Sequence, residues 1–190
     1  MHEITKDFSF CYSHRVWSQT VDDEFTCGRR PKCRHIHGHE GNVSITLDGD
    51  IQEDGMLLDF TWLQWFKHWI DEYVDHKFIV DVNDPLLDEI VGLDDPHRIM
   101  TYTQQLPLTE GAGNLPAFRF DPQDEDSLGP VLCGFVFVQF IPTSENLAAW
   151  VADIVAHKLS DRFSGHIYSV TVEWQETPTS VAKYTRSLNG

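Results

Sequence analysis

At 190 residues with 41% apolar side chains, the chain can bury one sizeable core and needs no second domain. Thirty acidic residues against fourteen basic ones give a formal charge of -16, which excludes bulk attraction to nucleic acid phosphates or anionic membrane surfaces unless basic side chains cluster. The four cysteines, Cys11, Cys27, Cys33 and Cys133, are too few and scattered for a secreted disulfide framework, and no apolar run approaches the roughly 18 residues of a membrane span, so the expected compartment is the cytoplasm.

From Glu3 to His14, Ile4, Phe8, Phe10 and Tyr12 share one phase and Thr5, Asp7, Ser9 and Ser13 the other, which predicts a half-buried strand. His14 falls in the apolar phase, either as a strand-end histidine satisfied by a backbone group or as a ligand. The polar connection 18–35 holds Arg29, Arg30, Lys32 and Arg34, four of the fourteen basic side chains and the one concentrated anion site of the sequence. The stretch Lys32–Gly41 reads Lys-Cys-Arg-His-Ile-His-Gly-His-Glu-Gly. Its His37 and His39 point to one face of a strand predicted over about 37–48, in phase with Val43, Ile45 and Leu47. Two imidazoles so spaced suit zinc, whose structural sites close with four protein ligands and whose catalytic sites keep three. If the two strands pair as a hairpin, His14 joins His37 and His39; a structural site completed by Cys33 or Cys27 is the competing reading.

Leu63, Phe66, Ile70 and Val74 predict an amphipathic helix over 61–74, capped by Asp59 or Thr61. Asp75 and His76 follow it, either as a solvated cap or as an imidazole tuned by a carboxylate for proton transfer. Residues 81–130 hold eleven acidic residues, only Arg98 and Arg119 as basic ones, and six prolines. They read as an elaborated excursion that packs through its apolar residues, with local helix near 84–91. The strand over 131–141 is apolar in both phases and so is buried on both faces. Thr143 and Ser144 cap a second helix with Leu147, Val151, Ile154, Val155 and Leu159 at core spacing. In the last strand, about 166–176, Glu176 continues the apolar phase of Tyr168, Val170, Val172 and Trp174, either emerging into solvent or awaiting a ligand with two N–H donors.

Taken together, Ser13-His14-Arg15, Cys33-x-x-x-His37-Gly38-His39, Gly55-Met-Leu-Leu-Asp59-Phe60, Asp75-His76-Lys77, Pro142-Thr-Ser144-Glu145-Asn146-Leu147 and Trp174-Gln-Glu176-Thr-Pro-Thr-Ser180 resemble the 6-pyruvoyltetrahydropterin synthase superfamily. Three residues between the cysteine and His-Gly-His resemble its 6-carboxytetrahydropterin synthase branch, and Cys27, with nine residues between it and His37, fits as a bystander. The resemblance implies zinc on His14, His37 and His39, Cys33 as catalytic thiol with Asp75 and His76 as proton-transfer partners, Glu176 as pterin anchor, and Ser144 and Glu145 as substrate-binding residues. It implies an α+β tunnelling fold (T-fold): a four-stranded antiparallel sheet with two helices on one face, forming one domain over 1–190 with an acidic insertion at about 81–130. Subunits join edge to edge into a barrel, expected as a homohexamer of two trimers, and that barrel would account for the doubly apolar strand. The implied reaction is a carbon-carbon lyase step turning 7,8-dihydroneopterin triphosphate into 6-carboxytetrahydropterin, acetaldehyde and triphosphate in the queuosine and 7-deazaguanine pathway. No nucleic acid or membrane partner is expected. The alternatives are a pyruvoyl-forming pterin synthase and a non-catalytic zinc-stabilised pterin-binding scaffold; a scaffold would need Glu176 but not Cys33, Asp75 and His76 together.

Overall fold

In the computed structural model, residues 1–92, 103–109, 116–120 and 132–188 are described; Arg98, and Val131 at the start of the expected strand 131–141, lie outside them. The strongest alternation in the sequence makes the longest pairing. Strand β1 (His2–His14) runs antiparallel to β2 (His37–Gly49) from His2↔Gly49 to His14↔His37 without a break. Phe8, Phe10 and Tyr12 face inward opposite Val43, Gly41 and His39. Gly41 is required there: a Cβ would come within 2.9 Å of the Tyr12 ring and 3.2 Å of Phe10, so these rings occupy the space a side chain would take.

The remaining elements are helix α1 (Asp23–Thr26), α2 (Gln64–Tyr73), β3 (Lys77–Asp81), α3 (Leu87–Val91), β4 (Thr103–Gln105), β5 (Ala117–Phe120), β6 (Phe135–Val138), α4 (Ser144–Phe163), β7 (Ile167–Thr177) and β8 (Ser180–Ser187). Helix α2 begins later than its periodicity suggests because Phe60–Leu63 forms a 3-10 turn, with the Asp59 side chain accepting from the Thr61 N–H at 2.8 Å. Thr143 caps α4 as expected, accepting from the Asn146 N–H at 3.3 Å. Both helices bury their apolar faces (Phe66, Trp69 and Ile70; Leu147, Val151 and Ile154) on the face of the sheet that carries Phe8, Ile45 and Val172.

The expected four-stranded antiparallel sheet is only half of the observed one. The sheet has eight strands in the order β4-β5-β6-β3-β1-β2-β7-β8. Strands β1, β2, β7 and β8 form the antiparallel half; β3 lies parallel to β1 through His14↔Ile79, and β6 parallel to β3. The cause is the crossover through α2, which carries the chain past β1 to its far edge, so that β3, reversed relative to β2, lies beside the strand whose direction it shares. Strands β4 and β5 of the excursion then extend the sheet antiparallel to β6.

The doubly apolar strand also has a different cause from the one expected. Val136 and Val138 of β6 join the main core, while Phe135 and Phe137 pack with Val80, Leu87, Val91 and Phe120 in a second cluster. The excursion itself covers the outer face, so no neighbouring subunit is needed for that burial. No helix among the described residues is long and apolar enough to cross a membrane.

Candidate metal centre

The β1–β2 register places His14 opposite His37, and Tyr12 opposite His39. Period-two alternation puts all three imidazoles on the inward face, at the end of the sheet where the connection 15–36 leaves and returns. Their ligand atoms lie within 4.8 Å of one another. His14 Nε2 is 3.1 Å from His37 Nε2 and 3.1 Å from His39 Nε2. Neither Cys33 nor Cys27 joins this group.

The outer nitrogens settle which atoms face inward. His14 Nδ1 donates to the Pro142 carbonyl at 2.7 Å, and His37 Nδ1 to that of His35 at 2.8 Å. With the proton on Nδ1, each Nε2 presents a lone pair to the centre, and lone pairs about 3 Å apart repel unless a cation lies between them. A proton is a poor substitute. His14 is 1% exposed, and burial pushes its pKa down to about 4, aided by His37 and His39 and opposed by the Pro142 carbonyl and the Glu176 carboxylate. Burial lowers His39 as well. Three imidazole nitrogens aimed at one point form a donor set suited to zinc, so the residues present fit that ion.

Glu176 does not emerge into solvent. Its Oε1 lies 3.5 Å from His14 Nε2, and with His39, Gly41 and Asn42 it lines a cavity of about 550 Å³. Tyr12, buried beneath, accepts a 2.9 Å hydrogen bond from Trp174 Nε1; burial drives its hydroxyl pKa far up, opposed by that bond and aided by Glu176, so it stays neutral.

Asp75 and His76 are more than a helix cap. Asp75 Oδ1 accepts the Cys11 N–H at 2.7 Å, and Oδ2 lies 2.9 Å from His76 Nδ1. Burial alone would raise the Asp75 carboxyl, but the Cys11 N–H and His76 outweigh it and hold it below the usual carboxylate range. The His76 N–H donates to the Cys11 carbonyl at 2.6 Å while its backbone takes a left-handed φ of 59°. The exposed His76 ring thereby lines, with His39, Cys11 and Tyr12, a second cavity of about 390 Å³. Cys11 had no signal in the sequence, since it acts through its backbone.

Cys33 sits apart, in the connection 15–36. Its N–H donates to Gln19 Oε1 at 2.9 Å and its carbonyl accepts from Val16 at 2.7 Å. With Arg29, Arg30, Lys32 and Cys27 it lines a cavity of about 560 Å³, so three of the four basic residues of the cluster, all but Arg34, share that cavity with Cys33. Ser144 and Glu145 open α4 just beyond the carbonyl that fixes His14, and Glu145 is exposed.

A family model described as 6-pyruvoyl tetrahydropterin synthase matches residues 3–187. A protein of Aquifex aeolicus named 6-carboxy-5,6,7,8-tetrahydropterin synthase is 30% identical over 96% of each chain. The human 6-pyruvoyl tetrahydrobiopterin synthase is 29% identical over 47% of this chain and 64% of its own. Among solved structures, an uncharacterised protein of Wolinella succinogenes superposes with a TM-score of 0.79 at 35% identity, covering 96% of this chain and 97% of that one. The Plasmodium vivax 6-pyruvoyltetrahydropterin synthase shares the fold, with a TM-score of 0.59 at 17% identity over 98% of both chains.

The His14 shift has a consequence for stability. An unfolded histidine titrates near 6.5 and native His14 near about 4, so between these values the unfolded chain binds more protons and acid favours it. The metal-free protein is therefore expected to lose thermal stability as pH falls from about 6.5 towards 4. Melting temperatures measured across that window should show the loss, and His14→Gln should flatten it; an equally steep decline in His14→Gln would assign the effect to other groups.

Proposed function

Because the chain belongs to the 6-pyruvoyl tetrahydropterin synthase family over residues 3–187, we propose that it is a zinc-dependent 6-carboxytetrahydropterin synthase. On this reading it acts on 7,8-dihydroneopterin triphosphate in the queuosine and 7-deazaguanine pathway, forming 6-carboxytetrahydropterin with release of acetaldehyde and triphosphate. The observation that carries the reading is the convergence of three imidazole Nε2 atoms, in a chain whose relative spanning nearly its whole length bears the carboxy name. The pyruvoyl-named human relative aligns over less than half of it.

His14, His37 and His39 would hold the metal, with a position left for substrate. Zinc so bound supplies Lewis-acid polarisation of the substrate's side-chain oxygens, which acidifies the neighbouring C–H bonds. The protein's own groups do the rest. Cys33 takes or returns one proton as thiolate or thiol. His76, held by the ionised Asp75, handles the proton on the other side; being exposed, it reaches substrate only in the cavity it shares with His39. The Glu176 carboxylate accepts two N–H donors of the pterin ring, and Ser144 and Glu145 contribute to substrate binding. The chain works as one T-fold domain bearing the 81–130 insertion. We place it in a cytoplasmic homohexamer of two trimers, a state supported by β8 lying at one edge of the sheet with most of its residues exposed.

Incubating the zinc-loaded protein with dihydroneopterin triphosphate should yield 6-carboxytetrahydropterin and acetaldehyde by mass spectrometry. Cys33→Ala should keep its zinc and lose at least about a hundredfold in turnover, the scale of a lost proton-transfer group. A pyruvoyl product would move the chain to the other branch, and full activity in Cys33→Ala would remove the thiol from the reaction.

The triphosphate needs a local positive site in a chain of charge -16, and Arg29, Arg30 and Lys32 line the cavity at Cys33. Arg29→Gln with Arg30→Gln should raise KM about tenfold or more and weaken its salt dependence while bound zinc is unchanged. An unaltered KM and salt dependence would exclude these two arginines.

A further inference from the structure

Among the described residues, Asp81 and Asp84 are the most deeply buried carboxylates, and the proposed reaction uses neither. Asp81 and Asp84 are 2% and 5% exposed and bracket the tight turn by which β3 leaves the sheet for α3. Each spends one oxygen on the turn itself. Asp81 Oδ1 accepts the Asn83 N–H at 2.9 Å, Asp84 Oδ1 accepts the Leu86 N–H at 2.9 Å, and the Asp84 N–H donates to the Asp81 carbonyl at 3.0 Å. The Val82 N–H donates to the Val138 carbonyl at 2.9 Å, so the turn is tied to β6.

The second oxygen of each points the other way, to the connection 15–36. Trp17 Nε1 donates to Asp81 Oδ2 at 2.9 Å. Arg15 Nε lies 2.9 Å from Asp84 Oδ2 in a contact whose side chains are 11% and 1% exposed. Neither of those two atoms completes an aligned hydrogen bond, so the contact is an ion pair. Between Arg15 and Trp17 stands Val16, whose N–H donates to the Cys33 carbonyl at 2.7 Å, and two residues on, Gln19 holds the Cys33 N–H. The backbone of Cys33 is thus gripped on both sides by a segment that is itself fixed to a buried acidic turn.

We propose that the Asp81–Asp84 turn positions the thiol-bearing connection, with Arg15 and Trp17 as the couplers and Val16 and Gln19 as the clamp on Cys33. The four acidic and coupling side chains are positioning residues, since they act on the thiol through the backbone. This inference rests on the proposed role of Cys33 only for its effect on turnover; the placement of the thiol stands apart from it. It also gives a use to the start of the 81–130 excursion, which brings both carboxylates to the active end of the sheet. A turn that served stability alone would leave the thiol's behaviour in the folded protein unchanged.

The test is Trp17→Phe in the zinc-loaded protein, which keeps an aromatic ring and removes the five-membered ring with the N–H that donates to Asp81. Iodoacetamide labelling of the Cys33 peptide, followed by mass spectrometry, should accelerate about fivefold, the population change that goes with one lost hydrogen bond of ordinary strength. Turnover should fall by a similar factor, with KM within about twofold and bound metal constant. Asp84→Asn should move labelling in the same direction. Faster labelling with unchanged turnover would uphold the positioning and dismiss Cys33 from the reaction. Unchanged labelling of Cys33 in folded Trp17→Phe would overturn the proposal.

Discussion

The register of β1 against β2 is the constraint on which the rest of the site depends. It runs unbroken over the full length of both strands, and at its end it sets His14 opposite His37 and Tyr12 opposite His39. A slip of one residue would turn every inward side chain outward, removing Phe8 and Val43 from the core together with the imidazoles from their meeting point. The burial of the apolar face therefore specifies the candidate metal site; the same alternation that drives folding fixes where the three imidazoles lie.

Burial also determines the chemical state of the ligands. A fully exposed histidine cluster could relieve its crowding by taking up protons, whereas His14, enclosed by Tyr12, the Pro142 carbonyl and the other two rings, is held neutral well below pH 7. Nδ1 is committed to a backbone carbonyl, so Nε2 is left as a donor toward the centre. Around this fixed point the moving parts are attached by backbone hydrogen bonds: Asp75 and His76 to Cys11, and Cys33 to Val16 and Gln19. Asp75 and His76 are thus referred to β1, the strand that also carries His14, and Cys33 to the segment that follows it.

Period-two and period-3.6 patterns made β1, β2, β7 and the two long helices legible in the sequence, and with them the gathering of His14, His37 and His39. Of the other half of the sheet only β6 was legible, inside the doubly apolar strand expected over 131–141. Strand β3 has five residues, begins with Lys77 directly after the His76 turn, and gains its place by parallel pairing after a crossover, which local alternation does not encode. The covering of Phe135 and Phe137 by Leu87 and Val91 depends on a contact across the excursion, and its double burial was open to an intersubunit explanation. The hooks on Asp75 and Cys33 were invisible for a different reason: backbone N–H and C=O groups are common to every residue, so Cys11 and Val16 carry no sequence signal for the bonds they make. Arg15 and Asp84, far apart in the chain, could be matched only once β3 stood beside β1.

In the proposed centre the protein supplies nitrogen ligands alone, and the thiol is left out of it. X-ray absorption at the zinc edge, on protein loaded with one equivalent of metal, reads this directly. Three nitrogen scatterers at about 2.0–2.1 Å with an additional oxygen are the predicted shell. A sulfur shell at about 2.3 Å would make Cys33 or another cysteine a ligand and contradict the account.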